Sequence, residues 1–270
     1  MPEGDSYTRV AALLRPAFVG VTLTAVDGVP AVRRWSDRLI GARVEGVRTR
    51  GKHLLIDICG DITIHVWMGM PGWWRIGPKG GVGRTEGERT GSHDSGDVRL
   101  LIGTIDHIAT CHAAPVVEVD RRRVIERTLR RIGPDVLDAH FDLDEYRTRV
   151  ALLPGTTLAA DLLLDQRVLA GVGNEYKNEV LFLEGIHPCR LLQDLTGDQI
   201  DGLANRSRRI MLPNAERGGA RDTTGLPGME GWVYQRAGKP CRRCRTAILT
   251  DRVGERHPRV TFWCPLCQPG

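Results

Sequence analysis

With 270 residues, 41% of them hydrophobic and 26% charged, the chain is long enough for two modest domains, each with its own core. No stretch reaches the roughly 18 to 20 apolar residues of a membrane span, and residues 1–20 mix charge with apolar side chains, unlike a signal-peptide core. A cytoplasmic protein is expected, without membrane partners. The net charge of +5 points weakly to a polyanionic partner, but its distribution says more: from residue 200 onward 13 Lys and Arg face 6 Asp and Glu.

Taken in chain order, Tyr7, Val10 and Leu14 have helical spacing after the cap-type pair Asp5 and Ser6, and Pro16 is expected to stop that helix. Alternating, strand-like segments follow at 21–29, 43–48, 54–58, 62–67, 99–105 and 116–119, predicting a β-sandwich of roughly 130 residues with a flanking helix. Residues 77–96 hold seven glycines and no hydrophobic period, so a mobile loop, in the blandest case a tolerated surface insertion, is predicted there. The basic run 121–131 leads to Gly133-Pro134-Asp135, a break suited to a hinge over 132–142. Helical patterns at 143–153, 158–166, 175–184 and 197–211, the last with Thr196 as cap candidate, predict a helical domain over 143–232, before a cysteine module at 233–270. The fold class is thus α+β, multidomain.

Three features carry chemistry. Cys241-x-x-Cys244 and Cys264-x-x-Cys267, with nineteen residues between them, bring four soft thiolates together, the ligand set of one closed, structural, tetrahedral zinc site. The same segment presents Arg242, Arg243, Arg245, Arg252, Arg256 and Arg259, which suit phosphates. The remaining cysteines, Cys59, Cys111 and Cys189, read as isolated, buried free thiols. Second, Ala170-Gly171-Val172-Gly173-Asn174 lies between two helical segments, where it serves equally as a tight interhelical turn or as a phosphate cradle at a helix N-terminus. Third, removal of Met1 would leave Pro2 with a free secondary amine; an α-amine has a reference pKa of about 7.7 to 8.0, so part of it is nucleophilic near neutral pH.

In order and spacing these features resemble the formamidopyrimidine-DNA glycosylase and endonuclease VIII family. The resemblance runs from Met1-Pro2-Glu3-Gly4 through Arg50-Gly51-Lys52-His53-Leu54-Leu55, Gly133-Pro134-Asp135, Leu164-Asp165-Gln166 and Ala170-Gly171-Val172-Gly173-Asn174-Glu175-Tyr176. It ends with residues 233–241 and Arg259-Val260-Thr261-Phe262-Trp263-Cys264-Pro265-Leu266-Cys267-Gln268. It implies a β-sandwich, a helix-two-turns-helix domain and a four-cysteine zinc finger acting on damaged DNA, double- or single-stranded, as a monomer. Pro2 would attack the sugar of the damaged nucleotide, expel the base and form an iminium that drives β,δ-elimination. Glu3 would handle the sugar-ring proton, and Lys52 would be the cation beside the flipped nucleotide. Asn174 and Arg259 match the family's phosphate clamps, and Met70, in Met68-Gly69-Met70-Pro71-Gly72, aligns with a wedge that fills the gap left by an extruded base; a core role for Met70 is the competing reading.

Glu3-Gly4 resembles the endonuclease VIII branch, so oxidised pyrimidines are the expected substrates. Ser6 stands where a second glutamate is usual, although an actinobacterial-type subgroup resembles Gly4-Asp5-Ser6. Residues 105–115 lack the segment with which the purine-directed branch reads the opposite base, and 216–228 falls where the family keeps a lid over the damaged base. Besides a bifunctional glycosylase and lyase, two other readings are open: a non-catalytic binder of damaged DNA, and an abasic-site lyase with little glycosylase activity.

Overall fold

The computed structural model describes residues 2–86, 97–226, 228–255 and 258–270. They divide into two compact units, Met1–Arg131 and Ile132–Gly270.

The first unit opens with α1 (Gly4–Phe18). Its Tyr7, Val10, Ala11, Leu14, Ala17 and Phe18 are buried at helical spacing and join one apolar core with both sheets. Glu3, not Asp5 or Ser6, is the N-cap residue, and the helix runs past Pro16. Proline is tolerated there because it removes one backbone donor within the last turn, which the Val19 N–H to Arg15 carbonyl bond, 3.0 Å, still closes.

Strand β1 (Ala25–Gly28) and two short helices, α2 (Pro30–Arg33) and α3 (Ser36–Leu39), precede β2 (Val44–Arg50), β3 (His53–Ile58), β4 (Ile62–Trp67), β5 (Trp73–Pro78), β6 (Arg84–Glu86), β7 (Val98–Gly103), β8 (His107–His112) and β9 (Val116–Arg121). Two antiparallel sheets result, ordered β1-β7-β8-β5-β6 and β2-β3-β4-β9. Alternate residues point into the sandwich: Ile56, Ile64 and Val119 from one sheet, Trp74, Ile102 and Ala109 from the other. The four-stranded sheet is also covered at one end of its outer face. There α4 (Arg122–Leu129) brings Glu126 to Arg48, whose guanidinium also donates to Asp57 at 2.7 Å, while the Thr63 hydroxyl donates to Asp57 at 2.6 Å.

Strands β5, β6 and β8 and helix α4 are additions to the sequence reading. Residues 77–86, expected as loop, are partly strand, while 87–96 lie outside the described residues. Cys111 is buried as expected, but Cys59 is only half-buried and Cys189 is exposed, so neither is a core thiol.

The second unit holds α5 (Leu143–Val150), α6 (Ala159–Leu164), α7 (Asn174–Glu184), a 3-10 turn at Leu192–Asp194, α8 (Gly197–Arg217) and the hairpin β10 (Leu249–Val253) with β11 (Arg259–Trp263). Asp142 caps α5 and Thr196 forms a capping box with Gln199 at α8, each satisfying N–H groups the first turn leaves open. Helix α7 faces two cores: Val180 and Leu181 pack among the helices, while Phe182 packs with Val233, Ile248 and Phe262 of the hairpin module. Among the described residues no helix is long and apolar enough to cross a membrane.

Candidate functional site

In the first unit, Pro2 and Glu3 are buried at the head of α1, where the Glu3 carbonyl accepts from the Ser6 N–H at 2.9 Å. Helix α1 packs on β2 and β3, whose turn carries Lys52. Of the two turn residues only Gly51 has a positive φ, +56°, the pattern of a type II′ hairpin with glycine first. Ser6 accepts from Arg9 at 3.3 Å; Arg9 also pairs with the buried Asp5 at 3.0 Å and with Glu86 at 2.8 Å. That network was not legible in the sequence, because Arg9 and Glu86 meet only through the fold.

The segment Met68-Gly69-Met70-Pro71-Gly72 is a tight turn with its two methionines in opposite roles. Met68 is fully buried and donates its N–H to the Tyr7 hydroxyl at 2.8 Å, and the Gly72 N–H closes the turn on the Met68 carbonyl at 2.8 Å. A Cβ on Gly72 would lie 2.4 Å from that carbonyl, so the turn needs glycine there. Burial pushes the Tyr7 phenol far above its ordinary pKa, so it acts only as a neutral anchor. Met70 is 50% exposed, which removes the core alternative.

In the second unit the glycine loop joins α6 to α7 after one hydrogen-bonded turn at 166–168. Asp165 ends α6, and the Gln166 side chain, expected as helical, instead clasps the loop: its amide donates to the Val172 carbonyl at 2.9 Å and its oxygen accepts from the Gly171 N–H at 3.0 Å. Gly171, at φ +102°, supplies the backbone that other residues resist. The loop delivers Asn174 to the first turn of α7, where a helix N-terminus favours anions.

Asn174 and the strand that carries Arg259, far apart in sequence, meet here. The Asn174 amide donates to the Val260 carbonyl at 2.9 Å, and the fully buried Lys177 donates to the Asn174 oxygen at 2.9 Å and to the Thr261 hydroxyl at 2.7 Å. Asn178 accepts from the Phe262 N–H at 2.7 Å. Arg259 itself is exposed. Of the other arginines expected at phosphates, Arg243 is otherwise engaged, stacking 4.4 Å over Phe182 and 5.3 Å from Trp232; Arg256 lies outside the described residues, as does Pro227 of the lid segment.

The four cysteine sulfurs lie within 4.8 Å of one another. Around a tetrahedral zinc with Zn–S of about 2.3 Å the sulfurs would stand roughly 3.8 Å apart. The Cys241–Cys267 separation of 3.9 Å and the Cys244–Cys264 separation of 3.3 Å fit such a shell. Hydrogen bonds from Thr246 lower the Cys244 thiol to about 6, whereas burial raises Cys264 and Cys267. Thiols so crowded ionise together only when a dication shares their charge, so the donor set fits one structural zinc. Glu179, missed in the sequence, holds the entry to this module: its carboxylate accepts from the N–H groups of Trp232, Val233 and Tyr234 at 2.7, 3.0 and 2.8 Å.

Together these features define an α+β protein in which a sandwich is followed by a helix-two-turns-helix and a four-cysteine ribbon. Residues 1–127 match the family model for the formamidopyrimidine-DNA glycosylase N-terminal domain, 132–224 that for its H2TH domain, and 238–270 the zinc finger found in FPG and IleRS. The chain is 40% identical to the DNA-(apurinic or apyrimidinic site) lyase Nei2 of Mycolicibacterium smegmatis, over 99% of both chains. It is 35% identical to the probable endonuclease 8 2 of Streptomyces coelicolor, over 100% of this chain and 95% of that one. Lactococcus lactis Fpg, solved in complex with abasic-site DNA, has the same fold, with a TM-score of 0.80 at 23% identity over 99% of this chain and 100% of that chain. The chain belongs to the formamidopyrimidine-DNA glycosylase family.

Proposed function

We propose that this chain is a bifunctional DNA glycosylase and abasic-site lyase of base excision repair, cytoplasmic, acting on damaged DNA and preferring oxidised pyrimidines. The observation that carries the reading is the full-length likeness to relatives named endonuclease 8 and abasic-site lyase, on a chain that keeps Pro2 and Glu3 at the head of α1.

With Met1 removed, the Pro2 nitrogen bonds to C1′ of the damaged nucleotide as the bond from C1′ to the base breaks. Glu3 protonates the ring oxygen so that the sugar opens, and loss of the nitrogen's proton leaves a cationic iminium. That cation is the electron sink for loss of the C2′ proton and the 3′ phosphate, and then of the 5′ phosphate. Lys52 supplies positive charge beside the flipped nucleotide, and Met70 enters the gap it leaves. Asn174 and Arg259 hold the lesion-strand phosphate, positioning rather than specifying. Zinc, held by Cys241, Cys244, Cys264 and Cys267, supplies structure to the ribbon that carries Arg259.

The test is borohydride trapping of untagged protein on a duplex with one abasic site. A covalent adduct that vanishes in Pro2→Gly supports the mechanism; strand cutting that survives a blocked N-terminus refutes it. The 40% identity to a protein named as a lyase favours a second reading, abasic-site cleavage with little base excision. Equal cleavage of thymine-glycol and abasic duplexes would remove that reading.

A further inference from the structure

Behind the hairpin that carries Lys52 stand two histidines and a glutamate that the proposed chemistry does not use. Arg50 and His53 are the last paired residues before the turn. His53 and His65 sit on the same outer face of the four-stranded sheet, His53 Nδ1 lying 2.8 Å from His65 Nε2, with the rings 5.0 Å apart. His65 is opposite Glu118 of β9, and its Nδ1 lies 3.3 Å from the Glu118 carboxylate.

Chemistry fixes the direction of this chain. An ionised carboxylate can only accept, so His65 Nδ1 carries the hydrogen, and a neutral imidazole then offers Nε2 as a lone pair. That lone pair requires a donor, so His53 Nδ1 carries a hydrogen too, which leaves His53 Nε2 as an acceptor. Both rings stay neutral. Burial above all, with His65, Arg50 and Lys52 adding to it, lowers His53 to about 3; burial also lowers His65, against the opposing pull of Glu118. Among the described residues His53 Nε2 takes no hydrogen bond, and Arg50 and Lys52 stand close enough to press on the ring. A neutral acceptor near two cations, held in one tautomer from behind, is suited to receiving an N–H from one of them.

We infer that Glu118, His65 and His53 form a directional hydrogen-bond relay that locks His53 in its Nδ1–H form, so that His53 Nε2 is kept ready to accept from and position the Lys52 ammonium when the flipped nucleotide is bound. His53 is thus a positioning residue, acting through Lys52. The inference rests on the reading of Lys52 as the cation at the flipped nucleotide.

Long-range proton–nitrogen NMR of the labelled, zinc-loaded chain reads the tautomers directly. Both rings are expected as Nδ1–H at neutral pH. Glu118→Gln is isosteric and lies on the surface, but its amide can donate to His65 Nδ1 and so invert both rings to Nε2–H. Strand cutting of an abasic duplex at saturating enzyme should then fall about tenfold, the loss of one hydrogen bond to a charged group, with affinity for an uncleavable abasic analogue unchanged. His53→Gln, whose amide oxygen reaches the Nε2 position, should keep most of the rate, and His53→Asn, which reaches only Nδ1, should not. A wild-type His53 found as Nε2–H, or full cutting by both Glu118→Gln and His53→Asn, would overturn the relay. Lys52→Met separates the two readings: full cutting by that variant overturns the role of Lys52 and the relay's purpose with it, whereas the tautomers judge the relay by themselves.

Discussion

Exchanging Glu179 for glutamine changes one oxygen to nitrogen and should nonetheless destabilise the second unit substantially. Glu179 is fully buried, and each of its oxygens accepts twice: one from the Val233 and Tyr234 N–H groups, the other from the Trp232 N–H at 2.7 Å and the Thr223 hydroxyl at 2.5 Å. Glutamine can serve only one of these pairs; its amide hydrogens then face the donors of the other. The Thr223 hydroxyl can rotate to accept, but the backbone N–H opposite cannot, and the charge on the acceptor is lost throughout. At about 1.5 to 3 kcal/mol for a hydrogen bond to a charged group, with one buried donor left unsatisfied, the expected loss is about 2 to 4 kcal/mol. Urea unfolding followed by tryptophan fluorescence, to which Trp232 contributes, measures it as a lower midpoint at unchanged slope. A Glu179→Gln protein within about 0.5 kcal/mol of the parent, the range of an ordinary surface change, would show that the carboxylate is not what gathers residues 232–234.

Four further outcomes are expected. His53 and His65 are uncharged in the fold at pH values where the unfolded chain protonates them, so unfolding takes up protons. Their contribution is complete above about pH 6.5 and falls as pH drops, for His53 down to about 3, by about 1.4 kcal/mol per pH unit for each ring that stays neutral; His53→Phe should flatten urea midpoints measured between pH 7 and 4.5, and an unchanged slope would count against the buried neutral rings. Tyr7→Phe strands the buried Met68 N–H and should cost about 1 to 3 kcal/mol in thermal or urea unfolding, whereas Met70→Ala, at an exposed turn, should change stability by less than about 0.5 kcal/mol while slowing excision from a duplex more than cutting of a single strand. Metal analysis should give one zinc per chain, and chelation should weaken DNA binding; near-zero metal with binding intact would refute the four-cysteine site.

What the sequence made legible was whatever depends on spacing or on long apolar alternation. The four-cysteine set, the strand at 62–67 and the capped helix after Thr196 are of this kind, since ligand geometry, pleat and helix period leave marks a few residues apart. Strand β8 left none, because its inward residues are the small Ala109 and Cys111, and β5 ends in Gly77-Pro78, which reads as loop. Helix α4 buries only Ile125 and Leu129 beneath a basic exterior, so its charge concealed its period. Pairings such as His53 with His65, or Arg9 with Glu86, follow from strand register and helix placement, which no local pattern encodes.

The zinc ribbon and the glycine loop are better regarded as one device than as two clamps. Three side chains of the first turns of α7 bond to β11: Asn174 to Val260, Lys177 to Thr261 and Asn178 to Phe262, and the Thr261 hydroxyl in turn donates to the Arg259 carbonyl at 2.9 Å. Displacing β11 removes the acceptor of the Asn174 amide and also one acceptor of the Lys177 ammonium that holds the Asn174 oxygen, so the side chain loses its anchor on the strand and its neighbour's anchor together. Loss of zinc should therefore remove more than the arginines of the ribbon. If Asn174 and Arg259 grip the same strand, chelation should weaken DNA binding more than Arg259→Ala does, and Asn174→Ala should add little once the metal is gone, because coupled contacts do not add.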